Sequence, residues 1–437
     1  MRLRAPVGFD RIRTELGVPG DFPLEVLVAA EQAAKRPLPD VPDMRDIAFV
    51  TLDPAGATDL DQAYAIEAHD GGWTVRYAIA DVAHFVDPGG AIDVEARKRG
   101  VTLYLPDGRA PLHPPVLSEG AASLLPNQDR AALVWTIEVA SDGSDGVAKL
   151  ERAIVRSREQ RAYENATDDV LRALGTALEG AEARRGGVSL DVPEQVVEQA
   201  GDRWRLDVRE VHPIEGWNEQ VSLLAGRAAA RLMLDGGIGL LRTMPPADEV
   251  MVKHLRRLAK ALGIEWSKRE SFAEAVRSID RTSVHGVVFL RNAVRALRGA
   301  GYTAFDGAPP EISEQSAVAA PYAHVTAPLR RLADRFANEV VVSLCAGVPV
   351  PTWARTALPE LPELMAAANR KEHEVDRAVI DQVEAMLLSS RVGQVLDATV
   401  VSVERDATVA IADPVVVAKA SLPEGIEPGE AVKVKVE

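Results

Sequence analysis

Cysteine is nearly absent: Cys345 is the one copy in 437 residues, which excludes a disulfide framework, a disulfide partner and a thiolate metal cluster. Aromatic residues make up only 5%, and Val392–Glu437 contains none, so that stretch carries no ring on which a base could stack. No run comes near the ~18 uninterrupted apolar residues of a membrane span. The opening MRLRAPVGFDRIRTEL is basic without the apolar centre of a secretory signal, and a cytoplasmic chain with no membrane partner is expected. Positive charge is not in excess: the formal net charge of −15 argues against indiscriminate polyanion binding. Neither a P-loop nor a GxGxxG fingerprint is present, and His84 and His324 have no metal-ligating partner at helical spacing. What is present is the mixture of a globular protein, 47% hydrophobic and 26% charged, long enough for two or three domains.

The pattern divides the chain into three regions. Residues 1–45 read as a lead-in, with an amphipathic helix at Pro23–Lys35 and a proline-rich extended linker at Arg36–Pro42. Residues 46–391 read as one larger domain whose first half is rich in strands. Those strands are an apolar run at Ile47–Leu52, an alternating hairpin of Gln62–Ala68 and Trp73–Ile79, and further segments at Val101–Leu105, Ala132–Val139 and Val147–Val155. Its second half is helical, with apolar spacings of three and four at Tyr163–Ala183, Trp217–Leu234, Ala247–Leu262, Ser271–Ile279, Val287–Leu297, Pro328–Leu344 and Glu360–Ser389. Short strands broken by Gly, Pro and Asp fill residues 392–437 and predict a small β-barrel. The class is α+β.

The most informative stretch is Thr51-Leu52-Asp53-Pro54-Ala55-Gly56-Ala57-Thr58-Asp59-Leu60-Asp61-Gln62. Asp59 and Asp61 are two apart in an extended segment and share a face, and the Pro/Gly loop can return Asp53 to it. Three carboxylates on one face repel unless a cation sits between them. Hard oxygen ligands suit Mg²⁺, with Mn²⁺ as the alternative, especially where phosphate oxygens complete the shell. Such a site can generate a hydroxide nucleophile and stabilise the oxygens of an in-line phosphoryl displacement. The plain alternative is a turn rich in Asp because Asp bends and caps chains. A phosphatase Asp-x-Asp nucleophile needs doubly wound order, whereas a hairpin follows here.

Together with later blocks, this stretch resembles the ribonuclease II family of 3′→5′ exoribonucleases, whose catalytic unit is the RNB domain. The blocks are Phe49–Ala63, Tyr77–Ala83, Arg99–Pro106, Pro111–Pro126 and Tyr322–Asp334, spanning about residues 46–345. The resemblance implies an RNB-type catalytic domain at 46–391 and an OB/S1-like segment at 392–437. It implies Mg²⁺ on Asp53, Asp59 and Asp61, with Gln62 at a fourth family position, and catalysis by Asp61 and Arg330. Tyr104 falls on a base-packing tyrosine, Glu219 on a glutamate contacting the RNA end, and Tyr163 on a weaker substrate position. Arg330 supplies a planar fork for phosphate, with Arg331 beside it. Pro328 suits a helix first turn, which would set Arg330 at a helix N-terminus with Asp334 four residues on to orient it. The expected partner is single-stranded RNA and the expected state a monomer.

Four departures from the family stand out. Gln62 replaces an aspartate, which removes a charge and predicts low activity or a higher metal requirement, relieved in Gln62→Asp. Leu190 stands where a stacking aromatic is usual. Residues 1–45 are too short for a cold-shock barrel, and Val392–Glu437 is short for an S1 barrel. Affinity must then come from basic runs: Arg152, Arg156, Arg158 and Arg161; Lys253, Arg256, Arg257 and Lys260; Arg291, Arg295 and Arg298; Arg330, Arg331 and Arg335. The alternatives are an RNA-binding scaffold with little or no hydrolysis, and a nuclease for another polymer such as DNA.

Overall fold

The computed structural model describes residues 8–437 apart from 189–194, 201–202, 210, 282, 390, 404–406, 412–415 and 424. Leu190 therefore lies outside the described residues.

The β-rich half closes on itself. Strands Phe49–Asp53, Gln62–His69, Gly72–Ala80, Asp129–Ala140 and Asp145–Ala162 form a five-stranded barrel. Consecutive strands pair antiparallel, and the first and last pair in parallel, Asp53 opposite Ala162. Alternation along each strand sends side chains to two faces. Val75, Tyr77, Ile79, Leu133, Trp135 and Ile137 face the large helical core, while Ala78, Ala80, Ala132 and Val134 pack with Phe49 and Leu60 on the other side. The last strand runs 18 residues, well past the expected end at Val155. Its polar tail, Arg156–Arg161, stays extended because it pairs with the first strand rather than because of its own pattern.

Helices Asp169–Arg185, Pro213–Gly236 and Leu332–Ala346 cover the barrel. Tyr163 belongs to the turn after the last strand, not to a helix; helix Asp169–Arg185 starts only where Asp168 accepts the Leu171 N–H. Helix Pro213–Gly236 has proline in its first turn and a His212/Glu215 capping box. At Gly226 it meets the chain around Tyr322: an added Cβ would lie 2.1 Å from the Tyr322 ring. Helix Leu332–Ala346 is buried on all sides through Ser343. It also begins four residues later than its proline predicts. The N–H of Ala327 goes to Asp334 Oδ2 (2.7 Å), that of Leu329 goes to Asp61 Oδ1 (2.7 Å), and Arg331 is extended at φ −131°. Arg330 thus precedes the helix instead of lying in its first turn.

The lead-in is part of the body. Helix Asp10–Glu15 follows Phe9, whose ring meets Trp204 edge-on at 5.3 Å, and helix Leu24–Ala33 buries Val26, Ala30 and Ala33. Helices Glu249–Ala261, Phe272–Ser278 and Val284–Ala293 form a separate small core. The long helix Leu361–Ser389 leads to a four-stranded antiparallel sheet in the order Val416–Ala420, Ala407–Ile411, Val395–Val403, Ala431–Lys435.

Candidate active site

One rim of the barrel gathers the acidic residues. Asp53 ends the first strand, Asp61 precedes the second, and the Ala80 N–H bonds to the Asp61 carbonyl (2.9 Å). The turn between them passes through Gly56 at φ 81°, a conformation that favours glycine. Ser123 fixes its exit: its hydroxyl donates to the Thr58 carbonyl (2.7 Å) and accepts from the Leu60 N–H (2.9 Å).

A segment from far along the chain lies on this rim. Asp61 Oδ1 accepts the Leu329 N–H, and Asp61 Oδ2 is 3.7 Å from Arg330 Nε. The Thr102 N–H bonds to the Arg330 carbonyl and the Leu332 N–H to the Gly100 carbonyl, so backbone pins both sides of Arg330. The Arg330 side chain is 47% exposed and Asp61 only 5%, so a guanidinium open to solvent faces a buried carboxylate. The fold brings Asp61 and Arg330 together.

Burial dominates the electrostatics. It pushes Asp61 up to about 8, opposed by Arg330 and the Leu329 N–H. It pushes Asp53 up to about 7, with Asp59 adding to the rise and Arg330 opposing it. Asp53 Oδ2 is buried and has no hydrogen-bond partner. Two desolvated carboxylates, one with an orphan oxygen, are offset only in part by Arg330. This donor set fits Mg²⁺ bound by one or two carboxylates, with water and substrate phosphate as the other ligands.

The expected four-residue ligand set is not assembled. Among the described residues, no group of three or more His, Cys, Asp or Glu is placed to hold a metal ion. Asp59 is drawn off by Arg109 Nη1 at 2.7 Å and by the Tyr104 hydroxyl at 3.2 Å. Gln62 has both ends of its amide engaged: Nε2 donates to the Thr326 carbonyl (2.6 Å) and Oε1 accepts from the Tyr77 hydroxyl (3.0 Å). Here Gln62 ties the Arg330 segment to the barrel instead of presenting a free oxygen.

Beside the rim opens a cleft of about 650 Å³ whose lining includes Gln62, Tyr163, Glu219, His324, Arg330 and Arg331. The Tyr163 hydroxyl accepts from Asn218 Nδ2 (3.4 Å), and burial followed by Asp53 pushes it up to about 12. Burial, then Glu182 and Glu215, raises Glu219. Burial and the cations Arg331, Arg242 and Arg330 keep His324 neutral, its Nδ1 2.7 Å from the Tyr302 hydroxyl. Tyr104 is 45% exposed on strand Leu103–Leu105, so its ring is presented rather than buried in the core.

Several basic residues have other duties. Arg331, not Arg330, pairs with the fully buried Asp334, at 2.9 Å. Arg335 pairs with Asp93 (2.7 Å), and both side chains are buried. Arg152 bridges Asp81 and Glu339, Arg156 pairs with Asp129, and Arg161 pairs with Glu159 and Asp168. The run from Arg152 to Arg161 is therefore largely an ion-paired wall. Arg257, Arg295 and Arg298 line a second cleft, bordered by Val403 and Pro428 of the C-terminal region. Arg109 and Gln62's anchoring role were not read from the sequence, since their partners are set by the fold.

Comparison with known proteins bears on the family and the fold. Residues 41–346 match the RNB domain, and residues 394–437 match the RNase II-type exonuclease C-terminal S1 domain. Ribonuclease R of Thermotoga maritima is 25% identical over 434 residues, covering 90% of this chain and 60% of its own length. Ribonuclease R of Escherichia coli is 27% identical over 400 residues, covering 83% and 48%. The chain thus spans about half to three-fifths of these relatives. Mycoplasma genitalium RNase R in complex with ribose-methylated single-stranded RNA shares the fold at TM-score 0.86 and 17% identity, over 98% of this chain and 75% of that one. Yeast Ssd1, a pseudonuclease, does so at 0.72 and 15%, over 88% and 52%. The chain belongs to the ribonuclease II family, carrying its RNB domain followed by an RNase II-type C-terminal S1 domain.

Proposed function

We propose that this chain is a metal-dependent 3′→5′ exoribonuclease that takes single-stranded RNA by its 3′ end and releases nucleoside 5′-monophosphates. One observation carries the reading: Arg330 Nε stands 3.7 Å from Asp61 Oδ2 on an acidic barrel rim that opens into a cleft. Asp53 and Asp61 would hold Mg²⁺ or Mn²⁺, which supplies Lewis-acid charge and an activated water when bound. Arg330, half in solvent, can swing its fork from Asp61 to a phosphate oxygen and stabilise the charge that grows there during in-line attack. Tyr104 offers a ring for the terminal base, worth ~1–3 kcal/mol. Glu219 and Tyr163 line the cleft where the terminal nucleotide would lie. RNB at 46–391 and S1 at 392–437 remain the proposed division, and the proposed location is cytoplasmic.

The second reading, an RNA-binding scaffold, draws on the engaged amide of Gln62 and on Asp59 being held by Arg109. A 5′-labelled single-stranded RNA, incubated with Mg²⁺, Mn²⁺ or chelator, separates the two. Stepwise shortening that stops with chelator and in Asp61→Asn is expected. Binding without shortening would establish the scaffold, and equal shortening of matched DNA would broaden the substrate.

A further inference from the structure

Both oxygens of Asp59 are satisfied by protein donors. Arg109, on the short strand Gly108–Ala110, places Nη1 2.7 Å from Asp59 Oδ1 and Nη2 2.9 Å from Thr58 Oγ1. The Tyr104 hydroxyl donates to Asp59 Oδ2 at 3.2 Å. The same guanidinium reaches Glu119 Oε1 at 2.7 Å, and the Thr58 hydroxyl donates to Glu119 Oε2 at 3.1 Å. Asp53, by contrast, has an orphan oxygen, and Asp61 faces Arg330 only at 3.7 Å. Arg109 is therefore shared between two acceptors, Asp59 and Glu119, while Arg330 faces Asp61.

We infer that Arg109 is a built-in counter-ion that competes with the divalent cation for Asp59 and sets the metal concentration at which this third carboxylate joins the site. The inference rests on the metal-dependent reading above. A cation closing on Asp59 must displace a charge-assisted hydrogen bond, which weakens its binding. The guanidinium has somewhere to go, because Glu119 already touches it and releasing Asp59 leaves it paired. Arg109 and Glu119 form a two-position switch, with Asp59 paired in one position and free for the ion in the other.

Mn²⁺ titration of the full chain without RNA, followed by calorimetry or by the free-ion electron paramagnetic resonance signal, tests this directly. Arg109→Met is expected to tighten Mn²⁺ binding about tenfold, the scale of one charge-assisted hydrogen bond. Glu119→Gln is expected to loosen it severalfold, because Arg109 then has Asp59 as its one anionic partner at this rim. Unchanged or weaker binding in Arg109→Met, or tighter binding in Glu119→Gln, overturns the inference. Should Arg109→Met fail to fold, Glu119→Gln decides alone, since it removes only a partly exposed charge. If the parent binds no Mn²⁺, or Asp61→Asn binds it undiminished, the metal reading fails and takes the inference with it. Binding that depends on Asp61 but ignores Arg109 and Glu119 sinks the inference alone.

Discussion

Asp334 offers a sharp test of how Arg330 is held in place. Its carboxylate is fully buried and accepts from Arg331 Nε (3.1 Å) and Nη2 (2.9 Å) and from the Ala327 N–H (2.7 Å). In Asp334→Asn the amide oxygen can keep the Ala327 bond, but the Arg331 guanidinium loses its counter-charge. Breaking a buried pair from one side costs about 3–5 kcal/mol. Arg331 keeps 21% of its side chain in solvent, which places the loss near 3 kcal/mol. At about 2–4 °C per kcal/mol for a large domain, the melting temperature should fall by about 6–12 °C. Arg331→Met leaves the buried carboxylate unpaired and should cost about as much, while the double variant, with both charges gone, should recover at least ~2 kcal/mol of the summed loss. Denaturant titrations of the four proteins give the cycle. Labelled-RNA turnover should fall in both single variants, because the Asp334–Arg331 pair anchors the segment that carries Arg330. Single losses below 1 kcal/mol, or losses that simply add, would refute the view that this pair holds the segment.

Three further outcomes are expected. Arg330→Ala should lower kcat by about 10²–10³ with little change in melting temperature, since it removes a half-exposed charge that acts on the transition state; a large stability loss or a retained rate counts against that role. Gln62→Asp should cost about 1–3 kcal/mol in chelator, because the Thr326 carbonyl loses its donor, while lowering the Mn²⁺ concentration needed for half-maximal binding; melting curves with and without metal separate the effects. His113 is buried, and desolvation followed by Arg335 holds it down to about 3. A folded value below the unfolded 6.5 means the unfolded chain binds more protons between pH 3 and 6.5. Stability from this group is thus complete above about pH 6.5 and falls by about 1.4 kcal/mol per pH unit below it. His113→Leu should flatten the acid limb of stability against pH, and an unchanged limb would disprove the assignment.

Local pattern exposed much of this fold. The hairpin Gln62–His69 and Gly72–Ala80 is legible from its strand-forming residues and the Asp70-Gly71-Gly72 turn between them, and the Asp53–Asp61 loop carries its turn residues in sequence. Asp61 and Arg330 could be matched because both sit in dense motifs. What stayed hidden was set by distant partners. Pro328 has the credentials of a helix start, yet Asp61 and Asp334 capture the amides that a helix would leave free. Arg152 and Arg335 look available in the sequence, but Asp81 and Asp93 are 71 and 242 positions away. Gln62 reads as a weakened ligand until its contact with Thr326, 264 residues on, shows it to be a fastener.

The parallel seam between Phe49–Asp53 and the tail of Asp145–Ala162 has a consequence for how the protein comes into being. During synthesis the acidic rim cannot close until the ribosome has passed Ala162, and Arg330 arrives only after the covering helix Pro213–Gly236 has been made. Long-range pairings of this kind form late and slowly. A nascent chain stalled anywhere before that arginine carries the carboxylates without the guanidinium, so the rim stays incomplete until three quarters of the chain has been made.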